Sequence, residues 1–404
     1  MDPLDILTNK DQAFPCFQPI YSADEHIVVG YEVLGRIHDG AIIRSLGSFF
    51  HDESVPDEYR LEVDDLILNK ALKKLLTEQN ENVMLFINRD ANLLMNDHGE
   101  SLRKTLLHYR EEGISLNRIV IEVTEHDFIG DIDQLNHLFS YFKTYGIKLA
   151  IDNVGKDGSN LDRLRLLNPD ILKIDLQMLK QTGEVRTYQD VLFSISMLAR
   201  KIGAELMYED IETEFQLQYA WRNGGRYYQG YFLGNPEPTF IDEKMQKQQL
   251  KQSFEQFILH EKKKLQVQHE VTSVLEEKVK SVCGKCGTTN YHDLINKIAE
   301  ALHDESFRIY VCDGNGFQKS ENIFKEYDEW KLQPEYYDRN WSWRPYFLQN
   351  IMRMSIEQRG ILSDLYSDIE TGDVIRTFSY PIERGHYIFI DISYNYLFKK
   401  DELL

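Results

Sequence analysis

With 404 residues the chain is long enough to bury two cores, so two domains are expected. Asp and Glu outnumber Lys and Arg 66 to 46, a formal net charge of -20, which argues against a protein that grips DNA or RNA by counterion release. No apolar run approaches the ~18 residues that cross a bilayer, the N-terminus has no basic start or apolar stretch, and 4 cysteines make no disulfide framework, so a cytoplasmic protein with no membrane or nucleic-acid partner is expected.

From Phe17 to about Pro236, short β-rich runs alternate with amphipathic stretches. The runs are 17–21, 27–34, 83–88, 119–124, 147–152, 171–175, 205–209 and 227–233; the helical stretches include 61–76, 101–112, 131–145 and 188–201. Several runs are apolar on both faces, as buried parallel strands are. The class is therefore α/β, and a (β/α)8 TIM-like barrel over 1–240 fits the strand count better than an open doubly wound sheet, which the pattern alone also allows.

Residues 241–287 are dense in Lys, Glu and Gln and read as a long linker helix. Phe254, Ile258, Leu265, Leu275, Val279 and Val282 keep a 4,3 spacing, interrupted by Glu261, Gln268 and Thr272. That stripe serves either packing within the chain or a dimer coiled coil. Residues 288–404 read as a small α+β domain, with a helix at 291–302 and strands at 307–312, 375–381 and 387–392. Cys283-Gly-Lys-Cys286 has the spacing of a zinc knuckle but needs a second pair, for which His292, His303 and Cys312 are available; a linker pair without a role is the plainer reading.

The chemistry gathers in the first domain. Glu32, Asn88, Glu122, Asp152 with Asn153, and Glu209 fall at or just after strand ends, joined by Lys173, Asp175 and Gln229. Asn88 to Glu122 is 34 residues, Glu122 to Asp152 is 30, and Lys173 to Glu209 is 36, each about one βα unit. Side chains recurring once per strand stand on one rim, which in a barrel is the catalytic face. Carboxylates and an amide oxygen aimed at one point repel unless a cation neutralises them, and hard oxygen ligands select a divalent metal such as Mg, Mn or Ca.

These residues carry a resemblance. Tyr31-Glu-Val-Leu-Gly-Arg36 resembles the Glu-x-Leu-x-Arg signature of the EAL-domain family of cyclic di-GMP phosphodiesterases, with Val33 in place of the eponymous Ala. The match continues through Gln18-Pro-Ile20, Asn88, Glu122-Val-Thr-Glu125, Asp152, Leu172-Lys-Ile-Asp175, Glu209-Asp-Ile-Glu212 and Gln229-Gly-Tyr231 to Pro236. The resemblance implies that Glu32, Asn88, Glu122 and Asp152 hold a first metal, Mg or Mn, with Ca binding and inhibiting. Asn153 and Glu209 sit where the second metal is held, and Glu209 can also serve as general base. By the same resemblance Lys173 positions the attacking water, Glu125 braces the loop after the fifth strand, and Arg36 pairs with a ligand phosphate. Gln18, Leu34, Asp175, Gln229 and Pro236 then line the dinucleotide site. The family reaction is hydrolysis of one phosphodiester by a metal-activated water, giving linear pGpG, and a homodimer of barrels is implied.

Two departures bear on that reaction. The family's Asp-Asp-Phe-Gly reads Asp152-Asn-Val-Gly155, which removes one ligand charge. The following Lys156-Asp-Gly-Ser-Asn160 departs from Thr-Gly-Tyr-Ser-Ser. The expectation is a cyclic di-GMP-binding signalling protein with weak or absent hydrolysis; the alternatives are an active phosphodiesterase regulated by its C-terminal domain, and a scaffold whose barrel only dimerises. In the C-terminal domain, Asn340-Trp-Ser-Trp-Arg-Pro-Tyr-Phe347 and Ile388-Phe-Ile-Asp391 resemble the PAS-like Cache sensor fold. That implies a pocket for an unknown small ligand lined by Trp341, Trp343, Arg344, Tyr346 and Asp391, whereas the residues alone are equally compatible with ordinary aromatic core.

Overall fold

Five residues, Ala23 to Ile27, join strand β1 (Ala13–Ser22) to β2 (Val28–Asp39). A parallel crossover needs a dozen or more, so the two form an antiparallel hairpin, with Gln18 opposite Glu32. In the computed structural model, which describes residues 3–40, 42–78, 80–124, 128–155, 161–177, 185–286, 290–344 and 347–400, this hairpin opens a closed barrel. The remaining strands are β3 (Ile42–Ser45), β4 (Met84–Asn88), β5 (Ile119–Thr124), β6 (Lys148–Asp152), β7 (Ile171–Asp175), β8 (Glu205–Glu209) and β9 (Gly225–Tyr228). They run in the order β1-β9-β8-β7-β6-β5-β4-β2, and the β1–β2 pairing closes the ring. From β2 and β4 to β9 the pairs are parallel. The eight-stranded TIM-like barrel is thus as expected, except that its first strand runs backwards. β3, unforeseen in the sequence, extends β2 outside the ring as a second hairpin.

The crossovers are made by amphipathic helices including Asp57–Leu76, Glu100–Glu111, Ile132–Lys143 and Val185–Ile202, which press rows such as Val63, Ile67, Ala71 and Leu75 onto the sheet. Helix Glu214–Arg222 begins with a capping box in which Thr213 Oγ1 accepts from Gln216 N at 3.2 Å.

The chain divides into two units, Met1–Glu255 and Gln256–Leu404. Helix Lys247–Cys286 carries the stripe read as a heptad. At its start Phe254 is buried against His26 and Tyr228 of the barrel unit; near its end Leu275 and Val279 are buried in the core of the second unit. Ile258 and Leu265, between them, stay 41% and 64% exposed, so packing within each unit absorbs both ends of the stripe.

The second unit is an antiparallel sheet of β10 (Ser306–Asp313), β11 (Asn322–Glu326), β12 (Glu329–Gln333), β13 (Ile361–Leu362), β14 (Tyr366–Ser367), β15 (Val374–Ile382) and β16 (His386–Ile392). Alternation sorts its faces: Ile309, Val311, Ile388 and Ile390 meet the long helix and helix Tyr291–Ala301, while Tyr310, Cys312, Tyr387 and Phe389 meet helix Phe347–Glu357. The sequence reading did not foresee β11, β12, β13, β14 or the last of these helices.

Candidate functional site

The barrel floor is a ring of one side chain per strand. Ile20, Phe86, Val120, Ala150, Ile171, Met207 and Tyr227 form one buried cluster, and β2 contributes Gly30, where a Cβ would lie 3.0 Å from both the Phe86 ring and the Met84 carbonyl. Side chains on a strand repeat every second residue. Two positions toward the rim from each floor residue therefore stand Gln18, Glu32, Asn88, Glu122, Asp152, Lys173, Glu209 and Gln229. Seven of the polar residues singled out at strand ends, together with Gln18 from the family resemblance, form one layer of the barrel; Asn153 and Asp175 fall outside it.

Lys173 is 1% exposed and lies at the focus of that layer. Its Nζ is 3.1 Å from Glu122 Oε1, 3.1 Å from Glu209 Oε2, 3.3 Å from Glu32 Oε2 and 3.7 Å from Asp152 Oδ1. Glu32 also accepts from Asn88 Nδ2 at 2.7 Å and from Gln229 Nε2 at 2.7 Å, and Gln229 Nε2 donates to Gln18 Oε1 at 3.0 Å. Burial works against the ammonium of Lys173, yet Asp152, Glu122, Glu209 and Glu32 outweigh it and hold its pKa well above the ordinary lysine value. Burial pushes Glu122 well above the usual carboxylate range, with Lys173 opposing and Glu32 and Asp152 adding. Glu209 is raised in the same way, by burial and then by Asp152.

Among the described residues no three carboxylate, histidine or cysteine groups surround a common point as a ready-made cation cage. The donor set nevertheless fits a hard divalent ion. It offers carboxylates and an amide oxygen, and both Glu122 oxygens are buried without an aligned hydrogen bond, despite the nearby ammonium.

Asn153 adopts φ +58°, and its side chain turns back: its backbone N–H donates to Asp152 Oδ1 at 2.9 Å and Nδ2 to Oδ2 at 3.1 Å. Glu32, Asn88, Glu122, Asp152 and Asn153 border a cleft of about 360 Å³ that runs past Leu34 and Arg36, whose Nη1 donates to the Gly35 carbonyl at 2.9 Å and Ser45 Oγ at 3.3 Å. Asp175 is buried two residues beyond Lys173, its Oδ1 accepting from Gln177 N at 2.6 Å; neither it nor the half-buried Pro236 lines the cleft. Strand register keeps Asp175 beside Glu209, and Pro236 precedes the residue whose backbone pairs with Phe17. Glu125 and the loop 156–160 lie outside the described residues.

The sequence reading missed the far wall of this cleft, where Arg60, Asp64 and Arg89 stand. Arg89 directly follows Asn88 and is 8% exposed; its Nη1 pairs with Asp64, while Nε and Nη2 have no partner, and neither has Arg60 Nε. Burial lowers the Arg89 pKa to about 10. Buried donors left unpaired cost roughly 1–3 kcal/mol each, so three in one wall need a reason.

In the second unit, Trp341 and Arg344, with the guanidinium 4.6 Å from the indole, line a cavity of about 20 Å³ beside Tyr310 and Phe389, room for a single water. Trp343 is instead 64% exposed, and Tyr346 lies outside the described residues. Asp391 is on the same face but committed: register sets it opposite Arg308, whose Nε donates to it at 2.6 Å, and Thr377 Oγ1 takes its other oxygen at 2.6 Å. Among the described residues no four-donor zinc set is assembled. Cys283 packs on the core, His292 pairs with Glu321, His303 with Lys325, and Cys312 is sealed in the sheet; the Cys286 side chain lies outside the described residues.

Residues 4–236 match the EAL-domain family model and residues 240–404 an EAL-domain associated signalling protein domain. The EAL-domain containing protein YkuI of Bacillus subtilis is 55% identical over 407 residues, covering 100% of both chains. Its crystal structure, in complex with substrate c-di-GMP and calcium, superposes with a TM-score of 0.95. A cyclic di-GMP phosphodiesterase, PdeA of Borreliella burgdorferi, is 30% identical over 229 residues, 55% of this chain and 33% of that protein. No described helix is long and apolar enough to cross a membrane. With the motif residues gathered in one barrel layer and the family model spanning that barrel, the chain belongs to the EAL-domain family.

Proposed function

We propose that the barrel binds cyclic di-GMP together with a divalent cation, Mg or Mn, held by Glu32, Asn88, Glu122 and Asp152, and that it hydrolyses the dinucleotide slowly or not at all. Binding is supported by the 55% identical relative crystallised with c-di-GMP and calcium, and by the donor layer above the floor. The observation that carries weak turnover is Asn153: where the family has a second carboxylate, an amide stands and donates to Asp152 at 3.1 Å. A neutral amide leaves a second cation with one charge fewer. When bound, the cation supplies charge stabilisation and a more acidic water. The chain's own part is to orient: Arg36 at the rim reaches a phosphate, and Lys173 and Gln229 fix Glu32.

Working hydrolysis to pGpG is the second reading, favoured because Lys173 and Glu209 stand 3.1 Å apart in the same layer. The second unit acts as a cytoplasmic PAS-like sensor in this proposal, supported by its antiparallel sheet with a helical cover on one face and an aromatic cluster on the other. The barrels pair as a homodimer. Turnover of cyclic di-GMP, followed chromatographically with and without Mn, decides between the two readings. A rate near 1 per second, the low end of ordinary enzymes, would rule out the binding-only form; calorimetry with calcium that detects no dinucleotide binding would leave only the scaffold.

A further inference from the structure

We propose that Arg89, supported by Arg60, is a specificity residue that reads the acceptor edge of one guanine of the bound dinucleotide. The proposal rests on the cyclic di-GMP reading above. Arg89 lines the cleft one residue beyond Asn88, more than nine-tenths buried, with two of three guanidinium nitrogens lacking partners. Arg60 contributes a third orphan donor, its Nη2 being held by Asp57 at 2.6 Å. These donors are built for acceptors that come with a ligand.

The surroundings select which acceptors. A phosphate at this wall would meet the carboxylates of Asp64 and Asp90, which line the same cleft, whereas a neutral base would not be repelled. Phe50, Ile67 and Leu68 supply apolar walls for a purine plane. Guanine presents N7 and O6 as adjacent acceptors that a guanidinium fork engages together. Adenine presents N7 beside an N6–H donor, which would oppose the second N–H. Arg89 thus favours guanine over adenine as well as binding it.

The test uses the full chain with calcium, titrated by calorimetry with cyclic di-GMP and cyclic di-AMP. Arg89→Lys keeps a cation beside Asp64 but loses the fork; Arg89→Met loses both. Each is expected to bind cyclic di-GMP about ten- to a hundredfold more weakly, the usual range for one bidentate base contact. Cyclic di-AMP affinity should stay within about threefold, so that the guanine preference shrinks. Thermal melts of the variants report folding, and if Arg89→Met does not fold, Arg89→Lys carries the test. A guanine preference unchanged in Arg89→Lys would overturn the proposal, as would equal losses for both dinucleotides. If the unaltered chain binds no cyclic di-GMP, the parent reading fails first, and that result is distinct from either.

Discussion

Asn153 clamps the carboxylate of the residue before it: backbone N to Asp152 Oδ1 is 2.9 Å and Nδ2 to Oδ2 is 3.1 Å. The left-handed φ of +58° that allows this is one Asn and Asp both tolerate, so the position can change charge without changing backbone. Asn153→Asp keeps the backbone bond to Asp152 Oδ1 but loses the side-chain donor to Oδ2, and it restores an anionic ligand. It should raise Mn-dependent conversion of cyclic di-GMP to pGpG about tenfold or more, a barrier change of at least ~1.4 kcal/mol. No gain in Mn would place the defect in the loop that follows.

Glu32 ties three members of the layer together, accepting from Asn88 and Gln229 and standing 3.3 Å from Lys173. Glu32→Ala removes a proposed metal ligand and frees three donors. Calcium-dependent cyclic di-GMP binding should fall more than about a hundredfold in calorimetry, ~2.7 kcal/mol. Unchanged affinity would dissociate this residue from the cation.

Lys173 balances four carboxylates within 3.7 Å. Replacing it by Met leaves them facing one another, and removal of one partner from a buried ion cluster costs about 3–5 kcal/mol. The barrel's melting temperature should drop, and millimolar calcium should recover part of the loss by taking over the counter-charge. A melt insensitive to calcium in Lys173→Met would argue against a cation among these groups.

In the second unit Arg308 joins Asp391 at 2.6 Å and Asp368 at 2.7 Å. Burial, the largest single influence, would raise the Asp368 pKa, but the hydrogen bond and charge of Arg308 together with the hydrogen bonds from Thr371 outweigh it, and the net shift is downward. A carboxyl whose folded pKa lies below its unfolded value of about 3.9 adds stability above that value and loses it as the pH falls through the folded one. Denaturant unfolding of the full chain, followed through the second unit, should weaken below about pH 4. Arg308→Met should flatten that acid-side slope and cost about 3–5 kcal/mol at neutral pH; an unaltered slope would detach Asp368 from it.

The eight barrel strands, the long helix and the layer of Glu32, Asn88, Glu122, Asp152, Lys173, Glu209 and Gln229 were legible in the sequence, because strand alternation and βα spacing are properties of the chain itself, and the family resemblance added Gln18. So was the hairpin at β1, in principle, since five residues cannot cross a sheet; the reading passed over it. Other features were decided only by tertiary structure. That Lys173 gathers four carboxylates, that Asn153 spends its amide on Asp152, that Asp391 is taken by Arg308 before it can line a pocket, and that Arg89 is buried with donors to spare all depend on distances between residues on different strands or on φ at a single residue. Periodicity says which face a side chain occupies; only the closed fold determines which neighbours meet it there, because pairing energies of charged and polar groups depend on separation and burial that no local pattern encodes.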